Sequence, residues 1–300
     1  MALTGSSLAL PLVLPRQARV ETTTDFVRER RERGRPTQRN GFQARHENLI
    51  RARDDGYRVS RRTLAFREVS TDAAPSGVRV AMDAASACDL SYVADRNLTP
   101  KSVENWQGGV SSAITAQLAQ AGKAAGLRDD VLVAPMTLWA QTSAADAVHV
   151  VLAGELRLAA PVGAVFEDGE AIETQEPAAF AFGGHAVAGR TVLSLERVDE
   201  ARGVAVLNYR READPASTQA AIDGLVWEIN LAEALKPEER AALQFEDTMV
   251  CRYEVDLKTG LATKAECERT TRETDFPWYE VIAVTERWSI VQTLTPGDGS

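Results

Sequence analysis

The clearest chemistry in this 300-residue chain belongs to two cysteines, Cys251 and Cys267. The stretch from Met249 to Cys267 reads as two strands around Lys258-Thr259-Gly260, a three-residue hairpin loop with glycine at its left-handed position. That loop sets Leu257 against Leu261 and Val255 against Thr263. It also pairs Glu254 with Lys264 and Arg252 with Glu266, both of opposite charge. In the same register Cys251 faces Cys267. Directly opposed residues have Cβ atoms about 4.5–5.5 Å apart, within a small twist of the roughly 3.5–4.5 Å that a disulfide prefers. A four-residue turn would set Val250 against Cys267 and break both charge pairs, so the first register is favoured. It predicts a Cys251–Cys267 disulfide, and with it an oxidising compartment. The alternative is a pair of reduced thiols packed as small core residues. Cys88 is left over and is expected to be a buried thiol.

Other reactive patterns are sparse. Gly183-Gly184-His185 is the tripeptide most like a binding site, because two glycines permit close backbone approach beside a titratable ring. His149 falls in an apolar helical run and His46 in a basic segment expected to be solvated. There is no Gly-x-Ser-x-Gly elbow, no phosphate-cradling glycine loop and no dinucleotide fingerprint. Three cysteines and three histidines are too few and too scattered for a zinc or haem site. Glu167-Asp168-Gly169-Glu170 lacks the ligand order of a calcium loop and reads as an acidic surface turn. The expectation is therefore no catalytic residues, no metal and no cofactor.

Charge divides the chain. The net charge is −9, yet Arg16 to Arg67 holds 15 arginines against 7 acids, a net of +8, which leaves −17 for the remainder. An acidic whole with few aromatic residues in its basic stretch argues against nucleic acid. The basic stretch is expected to dock on the acidic body or to form a solvated face, with an anionic partner as a third reading.

These residues need elements to carry them. Arg28-Glu-Arg-Arg-Glu-Arg33 mixes signs at helical spacing, so Asp25–Arg33 and Ala44–Asp54 read as helices. Strands are expected at Tyr57–Val69, Val78–Met82 and Leu90–Val93. A helical middle follows, starting at Thr99-Pro100, carrying Ile114, Leu118, Ala121 and Ala125, broken at Pro135 and restarting at Ser143 with Asp146. Leu156–Arg190 has no clear period and reads as a loop-rich connection with short extended pieces. Val192–Val198 and Val204–Tyr209 form a hairpin, and Ser217 caps a helix with Ile222, Val226, Ile229 and Ala232. Three strands close the chain, Thr248–Leu257, Leu261–Thr271 and Tyr279–Leu294. The fold class is thus α+β, a mainly antiparallel sheet built from hairpins with a central helical block packed against it.

The domain reading has four parts. Residues 1–24 are an apolar tail or remnant signal segment, because Leu8–Leu14 is apolar with no positive charge before it. Residues 25–56 form a basic helical segment, 57–295 an α+β domain with two possible similar halves (57–155 and 190–295), and 296–300 a frayed tail. No segment approaches the ~20 apolar residues of a spanning helix. These features point to a soluble protein, periplasmic or secreted, with cytoplasmic the alternative. Its role is binding or structural, toward a protein or an apolar ligand held on the concave sheet. The competing function is a hydrolase assembled from dispersed carboxylates and His185.

Overall fold

Alternation of buried and exposed residues dominates the chain from Gln17 onward, and it produces strands. The structure, a computed structural model, describes residues 7–70, 88–124, 126, 128–167, 169–182, 185–228, 243–274 and 281–295. A short pair, β1 (Leu8–Ala9) with β7 (Val165–Phe166), stands apart from one large antiparallel sheet. The first meander of that sheet is β2 (Gln17–Glu32), β3 (Gln38–Arg53), β4 (Gly56–Ser70), β5 (Leu90–Ala94) and β6 (Pro100–Val103). The second is β8 (Ile172–Phe182), β9 (His185–Asp199), β10 (Val204–Ala213), β11 (Gln244–Asp256), β12 (Ala262–Thr274) and β13 (Val281–Thr295). The order across the sheet is β6-β5-β4-β3-β2-β13-β12-β11-β10-β9-β8, so the first and last long strands pair at its middle.

The chain must then pass from one outer strand, β6, to the other, β8. It does so over one face of the sheet, through a π-turn at Trp106–Val110 and four helices. These are α1 (Ser111–Ala124), α2 (Asp129–Gln141), α3 (Asp146–Val151) and α4 (Ala153–Ala159). A fifth, α5 (Pro215–Glu228), packs on β8, β9 and β11. Helix α3 packs on β6 while α4 packs on β12 and β13. Strands β13 and β12 lie five and six positions from β6, about 24–29 Å across a flat sheet. Residues 146–159 span only about 21 Å as helix. The sheet therefore curls around α3 and α4, and this concave face carries the core.

The antiparallel hairpin sheet agrees with the sequence, and the central helical block does not. Strand makes up 56% of the described residues, so helix is a minor covering layer on a continuous sheet. Thr99-Pro100 opens β6 rather than a helix, since proline is tolerated at the first residue of an edge strand. Helix α2 runs through Pro135 without a break. The two expected basic helices are β2 and β3. Their charges alternate at period two as well as at helical spacing, and burial of every second residue decides between the two. Leu156–Arg190 has the expected extended pieces, but they are longer and more regular than a loop-rich connection, with the end of α4, β7, β8 and the start of β9.

Leu8–Leu14 packs into the protein. Leu10 is fully buried, its N–H donates to Ala164 O, and the Val13 N–H donates to Thr259 O. The expected strand at Val78–Met82 lies outside the described residues, as does the 296–300 tail. Among the described residues, no helix is long and apolar enough to cross a membrane.

Candidate functional site

The Cys251–Cys267 disulfide is present, and it closes the cross-strand pair that the charge register implied. Glu254 opposes Lys264 and Arg252 opposes Glu266 as expected. Beyond them a bulge sets Val255 against Ala262 instead of Thr263. Its cause is local. The Asp256 carboxylate accepts from the Thr259 N–H and hydroxyl, both at 2.7 Å, which draws the turn one residue wider. Gly260 adopts a φ of +68°, the left-handed position anticipated for it. Both cysteines point inward and are buried among Tyr253, Met249 and Trp288.

The tripeptide at 183–185 lies largely outside the described residues, which include neither Gly183, Gly184 nor the His185 side chain. The His185 backbone begins β9, at the far side of the sheet from the features described next. His149 is exposed at the end of α3. Among the described residues there is no group of three His, Cys, Asp or Glu side chains able to hold a metal ion.

The structure instead draws together residues that were assigned to a solvated basic segment. On the concave face of β2, β3 and β4 the inward side chains come in layers. Deepest are Ala18, Ile50 and Val59, which are apolar and join the core beneath α1–α3. Next come polar groups that are almost fully buried: Thr22, Thr24, His46, Asn48 and Arg61. Beyond them, aromatic rings cross four strands. Trp288 on β13 lies 5.0 Å from Phe26 on β2, which lies 5.2 Å from Phe42 on β3, which lies 5.5 Å from Phe66 on β4. Direct pairing of Trp288 with Phe26 and of Phe26 with Phe42 fixes this strip.

Arg61 organises the polar layer. Its side chain is 3% exposed and donates to Val151 O at 2.9 Å, Glu155 Oε1 at 3.2 Å and Cys88 O at 3.3 Å. It thus ties β4 to the α3–α4 junction and to the strand entering β5. A buried cation of this kind is tolerable only when paired, and Glu155 is the pair. His46 lies within hydrogen-bonding distance of the Thr63 hydroxyl, 3.3 Å. Burial, reinforced by the Arg61 charge, lowers its pKa to about 4, so the ring is neutral at pH 7. Asn48 donates to Thr22 Oγ1 at 3.2 Å, while Asn48 Oδ1, Arg61 Nε and Gln292 Oε1 are buried without a protein partner. Burial raises the Cys88 thiol, which holds it protonated and unreactive at neutral pH.

Between this surface and the helices lies a cavity of about 80 Å³. Thr22, Thr24, His46, Arg61 and Glu155 form its polar end. Phe26, Phe42 and Trp288 form its floor, with Val150, Val151 and Gly154 of the helices above. Val150 is 46% exposed, which places it at the mouth. The cavity is amphipathic, with hydrogen-bonding groups at one end and aromatic faces at the other.

A second charged feature adjoins the aromatic strip. Arg211, Asp247, Arg269 and Glu286 alternate in sign across β10, β11, β12 and β13. Asp247 is buried and takes a two-point bond from Arg269, at 2.7 and 2.9 Å. The Arg157 guanidinium of α4 lies 3.5 Å over the Trp288 ring.

On the outer face the arginines of β2–β4 pair largely with acids of the same segment, such as Arg19 and Arg62 with Glu47 and Arg45 with Glu21. Exposed pairs of this kind contribute little to stability individually.

No protein-family model matches the chain, and no characterised protein sequence matches it. Among solved structures it is similar to one described as lipid-protein interactions in lipovitellin, at 8% identity and a TM-score of 0.49. That match covers 96% of this chain and 26% of the other, so the chain spans about a quarter of the lipovitellin chain.

Proposed function

We propose that this is a binding protein that holds an apolar ligand between the curled sheet and its α3–α4 cover. The observation that carries the reading is the cavity floored by Phe26, Phe42 and Trp288 and roofed by Val150, Val151 and Gly154. Rings arranged across four strands, tilted 29–40° to one another, offer a continuous apolar surface, and Phe42 and Phe66 are only half-buried. A core that needed only packing would not leave buried polar atoms unpartnered beside such a surface. At about 80 Å³ the cavity is well below the roughly 300–1,000 Å³ of a typical ligand site. A full-sized ligand therefore needs α3 and α4 to move outward or needs to extend along the exposed rings toward Phe66. The buried disulfide supports an exported protein working in an oxidising compartment.

Titration with the neutral fluorophore N-phenyl-1-naphthylamine tests the reading, with native mass spectrometry of protein purified from its own source as a second line. The wild-type chain binds the fluorophore. In Gly154→Leu the first added carbon meets Ile290 at an ordinary contact distance of 3.7 Å, and the remainder of the side chain fills the cavity. Binding falls by about tenfold or more. Failure of the wild-type chain to bind, or unchanged binding in a folded Gly154→Leu chain, refutes the reading.

A further inference from the structure

Arg157 is the half-buried cation of this face whose guanidinium meets no carboxylate within ion-pair distance among the described residues. Its Nη1 donates to Ala153 O, a carbonyl of its own helix, at 2.6 Å. Its Nε is buried without a partner. The guanidinium covers Trp288, the same ring that floors the cavity. Its electrostatic neighbours are mixed: Glu286 favours the charge, whereas Arg269 and Arg211 oppose it. Asp247 does not compensate, because Arg269 and Arg211 already occupy it. Burial together with these two arginines lowers the Arg157 pKa to about 10, which still leaves it charged at neutral pH. A desolvated guanidinium without a counter-ion is costly, and two-point donation to a carboxylate or phosphate is the contact its shape suits best.

From this geometry we infer that Arg157 receives the anionic headgroup of an amphiphile whose apolar chain lies on the aromatic strip. This rests on the apolar-ligand reading and adds the class of ligand, a single-chain molecule ending in a carboxylate or phosphate. Trp288 joins the two parts of the site, since one ring touches both the cation and the cavity. The arginine that lines the cavity itself, Arg61, is already neutralised by Glu155 and offers a headgroup no free charge.

The test compares dodecanoate, dodecyl phosphate and dodecanol as competitors for the bound fluorophore, with inorganic phosphate as a fourth ligand. The wild-type chain should prefer at least one of the anionic ligands over the alcohol by about tenfold or more, the scale of a charge-assisted bond in a desolvated site. In Arg157→Gln that ratio should fall toward one. Arg157→Lys keeps the charge and serves if the glutamine variant does not fold; loss of the planar fork should reduce the ratio severalfold. Equal binding of anionic ligands and alcohol by the wild-type chain overturns the headgroup assignment while leaving the apolar site standing. An undiminished ratio in either folded variant does the same. Inorganic phosphate binding as tightly as dodecyl phosphate overturns the amphiphile in favour of a free anion. If neither the alcohol nor the anionic ligands bind, both readings fall together.

Discussion

Acidification is expected to destabilise this protein well above the range in which its carboxylates protonate, and His46 is the cause. The ring is buried on β3, and its pKa of about 4 compares with 6.5 for a free side chain. The unfolded chain therefore binds a proton that the folded chain refuses, so stability falls as pH drops through 6.5 and levels off below about 4. The full separation corresponds to about 3 kcal/mol. Between pH 7 and pH 5 the same linkage gives about 2 kcal/mol. Besides burial, the charged groups that face the ring are Arg61, which opposes the proton, and Glu155 and Asp89, which favour it. Urea denaturation at pH 7, 6 and 5, for the wild-type chain and His46→Gln, measures the effect. The wild-type chain should lose about 2 kcal/mol more than the variant over that interval. Equal losses would refute the argument that His46 is buried neutral against Arg61.

Two further perturbations follow from the hairpin that carries the disulfide. Removing the bond by Cys251→Ala with Cys267→Ala should lower stability by about 3 kcal/mol, the loop-closure value for a loop of about this length. The wild-type chain should show the same loss when reductant is added to the denaturation series. Gly260→Ala should be worse than its size suggests. The residue sits at φ +68°, and a Cβ there would lie 2.2 Å from Pro11 O. Backbone strain alone costs about 1–3 kcal/mol, and the clash should lever the Leu8–Leu14 segment away from the turn. Limited proteolysis should then cut near Pro11 in the variant under conditions that leave the wild-type chain whole.

Where neighbouring residues carry the information, the sequence was readable. The β11–β12 hairpin announces itself through Lys258-Thr259-Gly260, two charge pairs and two cysteines, all within about twenty residues. Only the bulge escaped, because it depends on the Asp256 carboxylate choosing Thr259 as its partner. The β9–β10 hairpin and the three closing strands were legible for the same reason. Capping of α5 was misplaced by a few residues, since Asp214 rather than Ser217 accepts the first free N–H. The expected cap at Ser143 with Asp146 is present, at 3.0 Å.

The candidate site was not legible, and the reason lies in its composition. An inward face of Thr22, Thr24, His46, Asn48 and Arg61 does not alternate apolar with polar, so β2 and β3 lost the pattern that marks a half-buried strand. The polar residues that build the site are what concealed it. Nor can local spacing show that Arg61 meets Val151 and Glu155, which are 90 and 94 residues away. One signal was available: Phe26, Phe42 and Phe66, three rings in an otherwise charged stretch, which no solvated face requires.

The pairing of β2 with β13 also shapes how the chain comes to be folded. Phe26 meets Trp288 across that seam, so β2 must wait for nearly the whole polypeptide before its second neighbour exists. At a synthesis rate of 5–20 residues per second the delay is roughly 13–50 s. Contacts this distant in sequence close slowly even in a free chain. Throughout the interval β2 can pair on one side with β3 while its other side stays open. That open edge ends in Arg28-Glu-Arg-Arg-Glu32, a run of alternating charge that discourages pairing with foreign strands. The central seam of the sheet is consequently the last part to form, and a truncated chain lacking β13 should fail to join the two meanders.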